Sequence, residues 1–94
     1  MEVIVLTVTE QAASMIRDLI DRADLPPGAG LRIAQRDDHS ALAMNLAEEP
    51  DYHDMVLIER EVAVFLGPAA FRVVGSKTLD ANITDTSAAF YLRD

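Results

Sequence analysis

Apolar residues recur along this chain with two different periods, and the change from one to the other marks out its elements. Ala13, Ile16, Leu19, Ile20 and Ala23 follow one another at helical intervals, while Arg17, Asp18, Asp21 and Arg22 occupy the positions between them. That spacing gives a helix one apolar face, so residues 10 to 23 are read as one amphipathic helix packed on a sheet. Thr9 is the expected N-cap, because its hydroxyl can accept a hydrogen bond from a first-turn amide, and Glu10 suits the positive end of the helix dipole. Upstream, the β-branched run through Val3 and Val5, ended by Thr7-Val8-Thr9, predicts a first strand. Downstream, Leu25-Pro26-Pro27-Gly28-Ala29-Gly30 ends the helix, since neither proline can donate to a continuing one.

From residue 31 the pattern shortens into strand-like runs separated by turn residues. Leu31-Arg32-Ile33 is the first. Leu42, Met44 and Leu46 alternate with Ala43 and Asn45, which turns one face inward. Met55 to Ile58 and Val62 to Leu66 flank Glu59-Arg60-Glu61 and predict a hairpin. Gly67-Pro68 then breaks the strand and sets proline at the start of a short helix, Ala69 to Val74, capped by Gly75. Ala88 to Leu92 supplies a last strand. The expected class is α+β: a compact, β-rich domain with one amphipathic N-terminal helix and a short second helix, residues 1–94 forming a single domain.

Composition narrows the function more than the fold. The formal net charge is -8 and the eight basic residues are scattered, so a phosphate backbone is repelled and nucleic acid is not an expected partner. Anionic membrane surfaces are disfavoured for the same reason, and no apolar run approaches the roughly 20 residues of a spanning helix. The start, Met1-Glu2-Val3-Ile4, has no basic n-region of a signal peptide, which makes the cytoplasm the expected location. With no cysteine, no disulfide can staple the fold.

The order of local signatures resembles the HesB/IscA-like A-type carriers of iron–sulfur cluster biogenesis across nearly the whole chain. The resemblance rests on Leu6-Thr7-Val8-Thr9-Glu10-Gln11-Ala12-Ala13 at the first helix, Gly30-Leu31-Arg32-Ile33 at the next strand, and Leu46-Ala47-Glu48-Glu49-Pro50 closing a later one. Asp54-Met55-Val56, Val62-Ala63-Val64-Phe65 and Leu79-Asp80 continue it. It implies a HesB-like fold, a role near iron–sulfur cluster assembly or iron handling, protein partners among the assembly components, and a homo-oligomer such as a dimer. Members of that family carry one cysteine in a glycine-rich loop after the Leu-Arg-Ile strand and a Cys-x-Cys pair in a C-terminal tail. Here the loop is Arg36-Asp37-Asp38-His39-Ser40-Ala41, with His39 falling about where the first cysteine would lie. The sequence ends at Tyr91-Leu92-Arg93-Asp94, where the family's last strand leads into its tail, and it holds no counterpart of the pair. Thiolate sulfur is the usual ligand of such clusters, so the resemblance carries the fold further than the chemistry, and no cofactor is expected.

Two acidic segments with a histidine are the candidate sites. Asp37, Asp38 and His39 could hold a divalent ion such as iron(II), or they could form a solvated turn, in which aspartates are favoured for their bonds to backbone. His53, within Asp51-Tyr52-His53-Asp54, could complete a shared site with His39, or this stretch could be an exposed acidic loop. Ser40 beside His39 belongs to no nucleophile motif, and Gly28 and Gly30 lack the lysine and hydroxyl residue of a phosphate loop, so neither acyl transfer nor nucleotide binding is expected. Met15, Met44 and Met55 are read as space-filling core residues, and the five aromatics as core or edge residues. Two readings follow: a non-enzymatic protein acting through protein contacts, and a divalent-metal protein using His39, Asp37, Asp38 and His53.

Overall fold

Among the described residues, seven strands and two helices follow one another as β1 (Thr7–Val8), α1 (Glu10–Arg22), β2 (Gly30–Gln35), β3 (Leu42–Ala47), β4 (Met55–Glu59), β5 (Val62–Leu66), α2 (Pro68–Val74), β6 (Thr78–Ile83) and β7 (Ala88–Arg93). The structure is a computed structural model and describes residues 6–36 and 42–94. The strands form two mixed sheets, one in the order β3-β2-β5-β4 and one in the order β1-β6-β7. In the larger sheet β2 runs parallel to β5 and antiparallel to β3; in the smaller, β1 runs parallel to β6 and β6 antiparallel to β7.

One face of the larger sheet carries the core. Leu31 and Ile33 of β2 and Val62, Val64 and Leu66 of β5 meet Ala12, Ala13 and Ile16 of α1, Ala70 and Val74 of α2, and Leu79 and Ala81 of β6. The alternation that the strand period demands is visible in these numbers. β5 departs from it, because Ala63 and Phe65, which face the other way, are buried too. A strand covered on both sides reads as an unbroken apolar run, and Val62 to Leu66 is one. Beside it, Gly30 of β2 is required by space: a Cβ there would lie 2.4 Å from the Ala63 carbonyl oxygen.

Local chemistry sets the boundaries. The Thr9 hydroxyl accepts from the Ala12 amide, as the sequence predicts for an N-cap, and α1 ends at Arg22 with Ala23 as its C-cap. α2 begins one residue earlier than read, with Gly67 as N-cap and Pro68 at its first position, where the missing amide hydrogen is no loss. The β4–β5 hairpin turns on two residues, Arg60 and Glu61, both left-handed with φ of 50° and 68°. Such a turn matches the strand twist but suits asparagine and glycine better than larger side chains.

Three expectations are corrected. Thr78–Ile83 is a strand that the sequence reading did not assign. Met55 is no core methionine; it is 41% exposed, because β4 lies at the sheet edge. Tyr52 is neither core nor edge-packed but stands in solvent at 93% exposure. The run through Val3 and Val5 lies outside the described residues, and the strand seen there is Thr7–Val8.

Candidate functional site

The segment between β3 and β4 folds back over the outer face of the larger sheet, and Arg32 holds it there. Arg32 sits mid-strand in β2 between the buried Leu31 and Ile33, so its guanidinium faces away from the core on the side where Phe65 is its register neighbour. A charge placed there must find a partner. It finds Asp54 in fork-to-fork geometry, Nε to Oδ2 at 2.8 Å and Nη2 to Oδ1 at 2.9 Å, with Asp51 adding a contact at 3.1 Å. The Asp51 amide also donates to Asp54 Oδ2 at 2.9 Å, which closes the turn. The Asp54 side chain is only 1% exposed. Hydrogen bonding from Arg32, with the Asp51 amide in support, holds the Asp54 carboxyl below its ordinary range despite burial, and Asp54 in turn raises Arg32.

This changes the reading of residues 51 to 54. Asp51, Tyr52 and His53 are exposed, as a solvated loop would be, but the Asp54 side chain is buried and accepts three hydrogen bonds. The His53 ring stands edge-on to Tyr52, with centroids 4.6 Å apart. Asp37, Asp38 and His39 lie outside the described residues, so their meeting with His53 remains an expectation of the sequence. Among the described residues, no three histidine, cysteine, aspartate or glutamate side chains converge to hold a metal ion.

A second carboxylate ties the smaller sheet to α1. Asp80 Oδ1 accepts from the Thr9 hydroxyl and from the Ala81 amide, each at 2.8 Å, and Oδ2 accepts from the Tyr91 hydroxyl and Arg93 Nε, each at 3.2 Å. Four donors to one anion, the Thr9 hydroxyl foremost, lower the Asp80 carboxyl to about 2. Thr9 therefore serves twice: its hydroxyl oxygen caps α1 and its O–H donates a hydrogen bond to Asp80. A third cluster gathers at the β4–β5 tip. Arg60 donates to the Val8 carbonyl at 2.9 Å and pairs with Glu10 at 3.2 Å, while Arg17 donates to the Arg60 carbonyl and pairs with Glu10.

Neither carboxylate network stood out in sequence, for the same reason. Arg32 and Asp54 are 22 residues apart and Thr9 and Asp80 are 71 apart, so only the fold introduces them. The available signal was a lone arginine inside an apolar strand, which calls for a buried counter-charge. Chemically, both carboxylates act as hydrogen-bond acceptors that join elements, Asp54 from three donors and Asp80 from four.

Two helices on one face of a mixed, four-stranded sheet, with a smaller mixed sheet closing the core, define a β-rich α+β fold that has counterparts among solved structures. The structure superposes on that of Escherichia coli SufA, described as involved in biosynthesis of iron–sulfur clusters, with a TM-score of 0.80 over 100% of this chain and 89% of SufA, at 21% sequence identity. A protein of Aquifex aeolicus solved by solution NMR matches with a TM-score of 0.72 over 100% of this chain and 95% of its own, at 17% identity. No protein-family model matches the sequence, and no curated protein is similar to it. The resemblance read from the sequence to the HesB/IscA-like proteins thus holds at the level of the fold, in a sequence of 94 residues without a cysteine.

Proposed function

We propose that this protein is a non-enzymatic, cysteine-free relative of the A-type carriers that works through contacts with other proteins in iron–sulfur cluster or iron metabolism, in the cytoplasm. What supports this reading is the whole-chain likeness to SufA, combined with a residue set that offers no thiolate. A ferrous–sulfide core is soft, and carboxylates and imidazoles replace thiolate poorly in binding it. Among the described residues, the buried Asp54 side chain and the partly exposed Asp80 are already occupied by donors from the protein itself.

Reconstitution with ferrous iron and sulfide tests it. The expected product is colourless, without charge-transfer absorption in the visible; a brown protein retaining stoichiometric sulfide through desalting overturns the proposal. Iron(II) titration calorimetry separates it from the metal-binding alternative built on His39, Asp37, Asp38 and His53. Protein contact predicts no saturable heat, whereas a metal site predicts saturable binding that His39→Ala abolishes.

A further inference from the structure

Apolar surface and uncompensated acid coincide at one margin of the larger sheet. β4 is its terminal strand, and among the described residues no strand pairs with its outer side. Sheet edges are normally guarded by lysine, proline, an inward-pointing charge or a bulge, and Met55-Val56-Leu57-Ile58 has none of these. Val56 and Ile58 are 47% and 67% exposed. Their backbone is unpaired as well. The two-residue turn closes on a bonded pair, Glu59 with Val62, so bonded and non-bonded pairs alternate from there and the N–H and C=O groups of Val56 and Ile58 point away from β5.

Charge decides what fits this edge. Residues 48–61 hold six carboxylates and one arginine. Arg32 engages Asp51 and Asp54, and Arg60 is committed to Glu10 and the Val8 carbonyl. Glu48, Glu49, Glu59 and Glu61 are exposed and have no ion-pair partner among the described residues. Acid therefore stands both before the strand and after it, and a second β4 laid alongside in either direction would set acid against acid. At the hairpin end, Ile58 also lines a groove of about 440 Å3 with Ile20, Leu25 and Pro26, to which Asp21 and Glu61 add two exposed carboxylates. Arg17, the cation of that groove, is already bonded to Glu10 and the Arg60 carbonyl. Apolar walls bearing acids suit the long stem and charged head of a lysine or arginine.

We propose that the β4 edge takes an extended, basic segment of a partner protein as an added strand, with one lysine or arginine side chain seated in the groove beside Ile58. The outward backbone groups of Val56 and Ile58 bond the segment, alternate β-branched residues in it cover their side chains, and basic residues at its ends meet the acids that flank β4. The proposal rests on the reading of this protein as one that works through protein contacts, and it supplies the chemistry of the partner. A single strand contact buries less than the roughly 1,200 Å2 of a stable interface, which sets the expected dissociation constant on the order of 10–100 µM. Attraction between unlike exposed charges is screened, so added salt weakens the pairing.

The probe is the peptide Lys-Arg-Val-Thr-Val-Arg-Lys, blocked at both ends and labelled with a fluorophore. Fluorescence anisotropy with the full chain should show saturable binding that weakens about tenfold between roughly 50 and 500 mM salt. Ile58→Lys, at an exposed position, should weaken it by about tenfold or more, and Asp21→Asn combined with Glu61→Gln by about threefold to tenfold. Asp85→Asn, an equal loss of charge in the β6–β7 turn, should change it by less than about twofold. A peptide methylated on its valine and threonine nitrogens cannot donate to β4 in either strand direction and should not bind. Amide exchange followed by NMR locates the contact: protection should rise at Val56 and Ile58 on binding, whereas Leu57 is bonded to Val64 beforehand. Four results overturn the proposal. They are a lack of saturation, an equal loss from Asp85→Asn and from the Asp21 and Glu61 pair, undiminished binding of the methylated peptide, and concentration-dependent protection of Val56 and Ile58 without peptide, which would place a second copy on the edge. The probe reads the edge alone, so its failure is separate from that of the role in iron–sulfur metabolism, which reconstitution decides.

Discussion

Asp54 and Asp80 are both depressed carboxylates, yet the protein holds them by different physics. Asp54 is buried against a single full charge, in two parallel bonds from Arg32, and its surroundings would be hostile without that partner. Asp80 is less enclosed and is stabilised by four donors, three of them neutral. One partner makes a site brittle; several make it tolerant. The difference also assigns the two their tasks, since Asp54 pins a loop onto the outer face of the sheet and Asp80 joins a helix start to a strand.

The comparison is broken most severely at Arg32. Arg32→Ala leaves the Asp54 carboxylate buried with only the Asp51 amide, and chemical denaturation should report a loss of about 2–4 kcal/mol. No single partner of Asp80 should cost as much. Thr9→Val removes the α1 cap together with the first donor to Asp80, and the expected loss is about 1–2 kcal/mol, with the Asp80 carboxyl moving upward toward its ordinary range by NMR titration. Thr9→Ser should restore most of both. Acid titration sharpens the contrast further. A carboxyl whose folded value is depressed contributes stability that is complete above its unfolded value, about 3.9, and lost as pH falls through the folded one. For Asp80 that window runs from about 4 down to about 2, and Asp80→Asn should flatten the stability profile within it. Tyr91→Phe, which removes one exposed donor of four, should change stability by no more than about 0.5 kcal/mol.

Much of the fold could be read from residue order because its signals are local. Thr9 before the helical period, the apolar runs on either side of Arg60 and Glu61, and the pairing of Pro68 with Gly75 each identify an element from neighbours alone. β6 escaped because Asp80, Ala81 and Asn82 are poor strand formers, although Leu79, Ala81 and Ile83 do alternate. Tertiary contact with α1 and β1 overrides that weak preference, leaving Leu79 and Ala81 buried. The acidic segment at 51 to 54 looked uniformly solvated because nothing in it announces that Asp54 alone turns inward. Its partner is set by the register of β2, which is a property of the sheet and not of the segment. The other candidate residues, Asp37, Asp38 and His39, lie outside the described residues, so the metal reading stands as the sequence left it.

The bond between Thr9 and Asp80 has a consequence for biosynthesis. A ribosome delivers the first helix with its local cap early, but Asp80, the partner of the capping hydroxyl, is made 71 residues later. β1 waits equally long for its parallel neighbour. The nascent segment must therefore leave the exit tunnel with its amino end unfinished, and closure comes as one late event that locks early and late portions together.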